Sequence, residues 1–131
     1  MGDNKIGLNE INQLSHKLIG CAIEVHRHFG PGLLESAYQQ CLAYELSAND
    51  IEFVMEQPIV VKYKKINIDC AFRADFIIAK SIILELKAVD KILPIHEAQL
   101  ITYLKITGLR LGLIINFNVK QLKDGIKRII L

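Results

Sequence analysis

The sequence predicts one small α/β domain, and three observations predict it. Its 131 residues suit a single compact unit able to bury a core without disulfide or structural metal. The hydrophobic period changes along the chain, from helical spacing in the first third to extended runs in the middle. A further helical stretch is then followed by a continuous apolar run, Leu111 to Phe117, as expected of a strand covered on both faces. With 51% hydrophobic and 23% charged residues, the composition is that of a globular protein.

The elements follow in order. Ile11, Leu14, Leu18, Cys21, Ala22 and Val25 form one helical stripe, so a helix is expected from about Asn9 to the breaker cluster Phe29-Gly30-Pro31-Gly32. A second helix is expected from about Leu33 to Ser47, with Leu34, Tyr38, Cys41 and Leu42 inward. Val54 to Tyr63 is rich in β-branched residues, and Pro58 within it suits an edge strand. Lys64-Lys65 reads as a turn, Ile66 to Ile78 as a second strand and Ile82 to Lys87 as a third. The turn at Ala79-Lys80-Ser81 lacks the Asn-Gly or Asp-Gly typical of tight hairpins. After Leu93-Pro94 a helix is expected from His96 to Thr107, with Gly108 at its end. Gln121 to Leu131 is compatible with helix or strand. The order is α-α-β-β-β-α-β plus a short C-terminal element.

A net charge of +2 permits nucleic-acid binding without arguing for it. Cys21, Cys41 and Cys70 are odd in number and widely spaced. They read as reduced, mostly buried thiols of a cytoplasmic protein, not as a zinc site or disulfide framework. Met1 to Glu10 has no apolar core of a signal peptide, and no apolar run is long enough to span a bilayer, so no membrane partner is expected. Apolar residues exposed on the first two helices would suit a homodimer.

The chemistry concentrates in the third strand. Side chains alternate, so Ile83, Glu85 and Lys87 share one face and Ile82, Leu84 and Leu86 the other. Two charges thus sit in a strand that is otherwise apolar on both faces. A buried carboxylate without compensation costs several kcal/mol in rough terms. Asp75 lies across the expected hairpin, and a turn near Lys80 brings it level with Glu85. Two carboxylates at that separation repel unless a divalent cation takes oxygen ligands from both. Lys87 beside the ion would hold or deprotonate an attacking water, as metal-assisted phosphodiester hydrolysis requires. The same three side chains also suit an ion-pair cluster that only fixes the hairpin.

Asp75, then Glu85-Leu86-Lys87 after an apolar strand, resembles the D…(D/E)-x-K signature of the PD-(D/E)XK nuclease superfamily. Gly32-Leu33-Leu34-Glu35-Ser36-Ala37-Tyr38 is similar to the pattern that names the GxxExxY protein family within it. His96-Glu97-Ala98-Gln99-Leu100 and Ile114-Ile115-Asn116-Phe117-Asn118 agree with the same family, and the resemblance runs from about Ile11 to Leu131. It implies a restriction-endonuclease-like core, a central mixed four-stranded sheet flanked by helices, with the site at the splayed end. It implies Asp75 and Glu85 as ligands of Mg²⁺ or Mn²⁺, Lys87 as the catalytic lysine, Gln99 as a helix residue orienting Lys87 or water, and Glu35 as the acidic residue of the first core helix. Ala74 stands where the superfamily name has proline.

Each candidate also has a plainer explanation. Glu35 sits in the first helical turn, where a carboxylate meets the helix dipole favourably. Gln99 shares a face with Tyr103 and Ile106, and a polar helix residue is usually just solvated. Arg73 shares the face of Asp75 if the strand is regular; it would then grip a phosphate or pair with Asp69 or Glu85. Lys62, Lys64, Lys65 and Lys91 are further candidates for phosphate contact. His16, His26, His28 and His96 form no metal or acid–base set. The functional expectation is a metal-dependent nuclease acting on DNA or RNA. The alternatives are a non-catalytic module binding nucleic acid or protein, and a hydrolase of a small phosphorylated molecule.

Overall fold

A computed structural model describes residues 6–131. The side chains of Cys70 and Ala71 lie outside the described residues, as do residues 1–5, where part of the N-terminal reading falls. Helix α1 spans Leu8–Phe29 and α2 Glu35–Ala48. Strands β1 (Phe53–Tyr63), β2 (Ile66–Ile78) and β3 (Ile82–Lys87) follow, then α3 (Pro94–Thr107) and β4 (Leu111–Asn116). A 3₁₀ turn, Leu122–Gly125, leads into β5 (Ile126–Ile130). The C-terminal segment is therefore a strand, and it adds a fifth to the expected four.

The sheet order is β1-β2-β3-β4-β5. Only the β3–β4 pair is parallel, which is why that connection alone contains a helix. The crossover places α3 on one face of the sheet, while α1 and α2 cover the other. The alternation in β3 serves both layers. Ile82, Leu84 and Leu86 pack with Leu18, Ala22, Leu42 and Leu46 of α1 and α2. Ile83 packs with Leu100 and Leu104 of α3 and Ile114 of β4. All six residues of β4 are buried, as its unbroken apolar run predicts. Among the described residues, no helix is long and apolar enough to cross a membrane.

The tight turn between β2 and β3 forms without Asn-Gly. Ala79 and Lys80 both take left-handed φ values, 48° and 55°, the sign such a turn demands at both central positions. Three hydrogen bonds hold it: Ser81 N–H to Ile78 O, Ala79 N–H to Glu52 O, and Ser81 Oγ to Ala79 O. One of the three, to Glu52, is tertiary; with the two local bonds it replaces the missing residue preference.

The breaker cluster is latched by Tyr38, which is fully buried. Its hydroxyl donates to Gly30 O and accepts from the Leu33 N–H, and its ring stacks on Phe117 at 4.3 Å. Gly32 has φ 113°, a backbone state that side chains disfavour. Glycine and tyrosine thus fix the entry to α2, and Glu35 is its first residue. Tyr38→Phe is expected to lower stability by about 1–2 kcal/mol, because a half-buried amide and carbonyl lose their partner. A lower denaturant midpoint at unchanged m would register it.

Cys21 is buried, and burial, then the Glu45 charge, pushes its thiol up, so it behaves as a small apolar residue. Cys41 is half-buried. His26 is also buried: its Nε2 lies 2.8 Å from Val119 O, tying α1 to the loop after β4.

Candidate functional site

The β2–β3 ladder stops at Phe76↔Leu84. One step further the strands part, and the side chains of Asp75 and Glu85 replace the missing backbone rungs. Leu86 N–H donates to Asp75 Oδ2 at 2.8 Å, and Asp75 N–H donates to Glu85 Oε2 at 3.2 Å. The two carboxylates therefore meet at the splayed point, each with one oxygen engaged by backbone. The alternation of β2 breaks here as well: Ala74 joins the cluster under α3 and Phe76 the opposite one.

Burial dominates the electrostatics. It pushes Asp75 up to about 6; the Leu86 N–H opposes this, and Glu35 and Glu56 add to it. It pushes Glu85 up to about 8, with the Asp75 charge adding to the effect. Lys87 pulls both down but only as a lesser influence. Lys87 is half-buried at the end of β3, opposite Asn116. It is in no ion pair: among the described residues those are Arg27–Glu24 and Lys127–Glu97. An ion-pair cluster holding the hairpin is thus not what forms; backbone N–H groups hold the carboxylates, and the amine stays free beside them.

Glu35 is exposed at the start of α2, close enough for its charge to raise both Asp75 and Glu85. Gln99 is exposed on α3 and has no hydrogen bond to the cluster among the described residues. One turn on, Tyr103 faces the site: burial, then the Glu85 charge, pushes its hydroxyl up, and its ring stacks on Phe72. Arg73 is exposed and pairs in register with Pro58. The regular strand assumed for it is interrupted at Asp75, so a shared face with Asp75 does not follow.

Two residues at this point escaped the sequence reading. Glu56 lies on β1 between the pairs Met55↔Phe76 and Gln57↔Ala74, beside Asp75. Its φ is 55°, an uncommon state for a non-glycine residue, costing about 1–3 kcal/mol. Gln39, one turn after Glu35 on α2, donates to Glu56 Oε2 at 2.9 Å and to Asp75 O at 3.4 Å. The i,i+4 relation of Gln39 to Glu35 was visible in the sequence; the left-handed backbone of Glu56 was not. Behind the site, buried Asn116 clamps the loop after Lys87: its Oδ1 accepts from Val89 N–H and its Nδ2 donates to Val89 O.

The family model of the PD-(D/E)XK nuclease superfamily matches residues 12–129. The chain belongs to that superfamily. No curated protein and no solved structure matches it. The fold agrees with the superfamily's restriction-endonuclease-like core.

The donor set can be tested against the divalent ion such nucleases generally use. Among the described residues, no three of His, Cys, Asp or Glu converge as a closed cage. Half-buried Asp75 and buried Glu85 instead offer two carboxylates, each with one oxygen not engaged by backbone. That suits a hard cation completed by waters and substrate phosphate better than a structural ion.

Proposed function

We propose that this domain is a Mg²⁺- or Mn²⁺-dependent nuclease that hydrolyses phosphodiester bonds in DNA or RNA. The observation that carries the reading is the meeting of Asp75 and Glu85, both with raised pKa, at the parting of β2 and β3 beside an unpaired Lys87. Asp75 and Glu85 would hold the ion, which when bound supplies positive charge at the phosphoryl oxygens and a more acidic water. Lys87 Nζ holds or takes a proton of the attacking water and offsets charge gathering on the phosphate. Glu35 adds negative charge near the two carboxylates, which would favour a cation there. Gln99 orients Lys87 or that water once substrate is in place, and Arg73 contacts a neighbouring phosphate. Superfamily membership supports nucleic acid as the substrate.

The test is cleavage of plasmid, single-stranded DNA and RNA by purified protein, with metal and with chelator. Wild type is expected to cut at least one substrate with metal only, and Lys87→Ala none. Equal activity in the two proteins would trace the cutting to a contaminant.

A second reading has one observation in its favour: backbone N–H groups already engage one oxygen of each carboxylate, so each has a hydrogen-bond partner without an ion. The domain would then bind nucleic acid or protein without cutting. Calorimetric titration separates the two, since no heat at millimolar Mn²⁺ would favour the non-catalytic module.

A further inference from the structure

The β1–β2 hairpin outgrows its sheet. β2 spans Ile66–Ile78, but β3 pairs only with Phe76–Ile78. Helix α3 supports the hairpin as far as Ile59, Phe72 and Ala74, through Leu100, Leu104 and Tyr103. Beyond that support the two strands stay paired through Val61↔Ile68, Lys62↔Asn67 and Tyr63↔Ile66, and no third strand joins them among the described residues. The result is a two-stranded ribbon rooted beside Asp75. β2 carries two extra residues in a bulge between the pairs Ile59↔Phe72 and Val61↔Ile68, so the reach is counted along β1. From Glu56, beside Asp75, to Tyr63 it is roughly 23 Å, at about 3.3 Å per residue.

The ribbon has two unlike faces. Residues directly opposite share a face, so Val61, Tyr63, Ile66 and Ile68 form an apolar one and Lys62 and Asn67 a polar one. The apolar face is not covered: Tyr63 is 57% exposed, Ile66 56% and Ile68 41%. The apex is Lys64-Lys65, and Lys64 has φ 53°, where Gly, Asn or Asp is favoured. Its ammonium lies 5.3 Å from the Tyr63 ring centroid. Residues 62–73 carry Lys62, Lys64, Lys65 and Arg73 against Asp69, a net +3 within a chain whose whole net charge is +2. All five are exposed, and none of the four cations is in an ion pair among the described residues.

We propose that this ribbon is an arm that lies in the major groove of double-stranded DNA, its lysines on phosphates and its Tyr63 face against the groove. The inference rests on the nucleic-acid reading above and names the form of the substrate. A two-stranded ribbon fits the wide major groove of B-form DNA, whereas the major groove of duplex RNA is too deep and narrow. Unpaired cations at the apex complement phosphate. The reach of about 23 Å corresponds to about seven base pairs, roughly two-thirds of a turn, at about 3.4 Å per base pair along a strand. The arm would thus hold the duplex about two-thirds of a turn from the bond at Asp75 and Glu85.

The test measures binding separately from cutting. Full-length protein with chelator is titrated against a labelled 20-base-pair DNA duplex and the matching single strand, by fluorescence anisotropy over a salt series. The arm variant is Lys64→Asn with Lys65→Ser, in which Asn suits the left-handed apex. It should bind duplex on the order of tenfold more weakly, with the salt slope of log K lower by about 2. Tyr63→Thr, which keeps a strand-forming residue, should weaken duplex binding at an unchanged salt slope. Wild-type affinity and slope in the arm variant would overturn the proposal. So would tighter wild-type binding to single strand than to duplex, absence of wild-type binding to duplex, or a self-association lost in Tyr63→Thr while duplex binding persists. Metal-dependent cleavage that survives while the arm proves irrelevant would sink the arm alone; arm-dependent binding without cleavage would sink the nuclease reading alone.

Discussion

Glu85→Gln is expected to make the metal-free protein more stable near pH 8 and to abolish cleavage. The stability follows from linkage. Burial pushes Glu85 up to about 8 and Asp75 up to about 6, whereas in the unfolded chain both titrate in the ordinary carboxylate range. Between those limits the folded protein binds more protons than the unfolded one. The contribution is therefore complete below the unfolded values, near pH 4, and is lost as pH rises through the folded ones. Metal-free wild type should melt at falling temperature from about pH 5 to about pH 9. Glutamine is neutral throughout and keeps an oxygen for the Asp75 N–H. The variant should show a shallower fall and gain on the order of 2–4 kcal/mol near pH 8. For a chain of this length that is roughly 5–15 °C in melting temperature. Metal supplies the opposite sign. Mn²⁺ should stabilise wild type by mass action, more near pH 8 than near pH 6, because the ion displaces the carboxyl proton. The variant should gain little and should lose cleavage by on the order of a thousandfold or more. Calorimetric scans with and without chelator provide the measurement, and parallel pH slopes in the two proteins would contradict a raised Glu85.

Glu85 also shows why part of the site was legible in the sequence. A charge in a strand apolar on both faces has no ordinary place, so Glu85 and Lys87 announce themselves, and Asp75 follows from counting across the turn. The period of α1 and the unbroken apolar run of β4 were equally plain, whereas Leu34, expected on the inward face of α2, caps that helix and is 77% exposed. What escaped depends on backbone and tertiary placement. Glu56 reads as an ordinary strand residue until its left-handed φ turns it beside Asp75. Gln39 reads as a polar helix residue until α2 is laid against β1 and β2. Arg73 was placed by assuming a regular strand, and the site itself is the irregularity. The last strand was ambiguous because five residues carry too little period to separate helix from strand. Gly32 and Tyr38 were recognised as a pattern, but their shared purpose, fixing the turn from which Glu35 emerges, needed coordinates.

Gly125→Ala is expected to be the most damaging small substitution away from the carboxylates. An added Cβ would lie 2.1 Å from Asn116 O and 3.0 Å from a methyl of Val119. The first is a backbone atom at the end of β4, so no rotamer change relieves the overlap. Either the 3₁₀ turn lifts off the sheet or Asn116 moves. Asn116 pairs with Lys87 in register and clamps Val89 on both sides of its peptide group, so its movement reaches the end of β3 directly. Destabilisation on the order of 3 kcal/mol or more is expected, with cleavage reduced even in whatever fraction stays folded. Gly112→Ala provides the contrast. Its Cβ would meet Leu100 at 2.8 Å, but that neighbour is a leucine side chain able to shift on α3, so about 1–2 kcal/mol is expected. Denaturant midpoints of the two variants, together with the amide spectra of Lys87 and Val89, distinguish the cases. Equal, small losses in both would mean that the 3₁₀ turn yields freely, and that the support of Lys87 lies elsewhere.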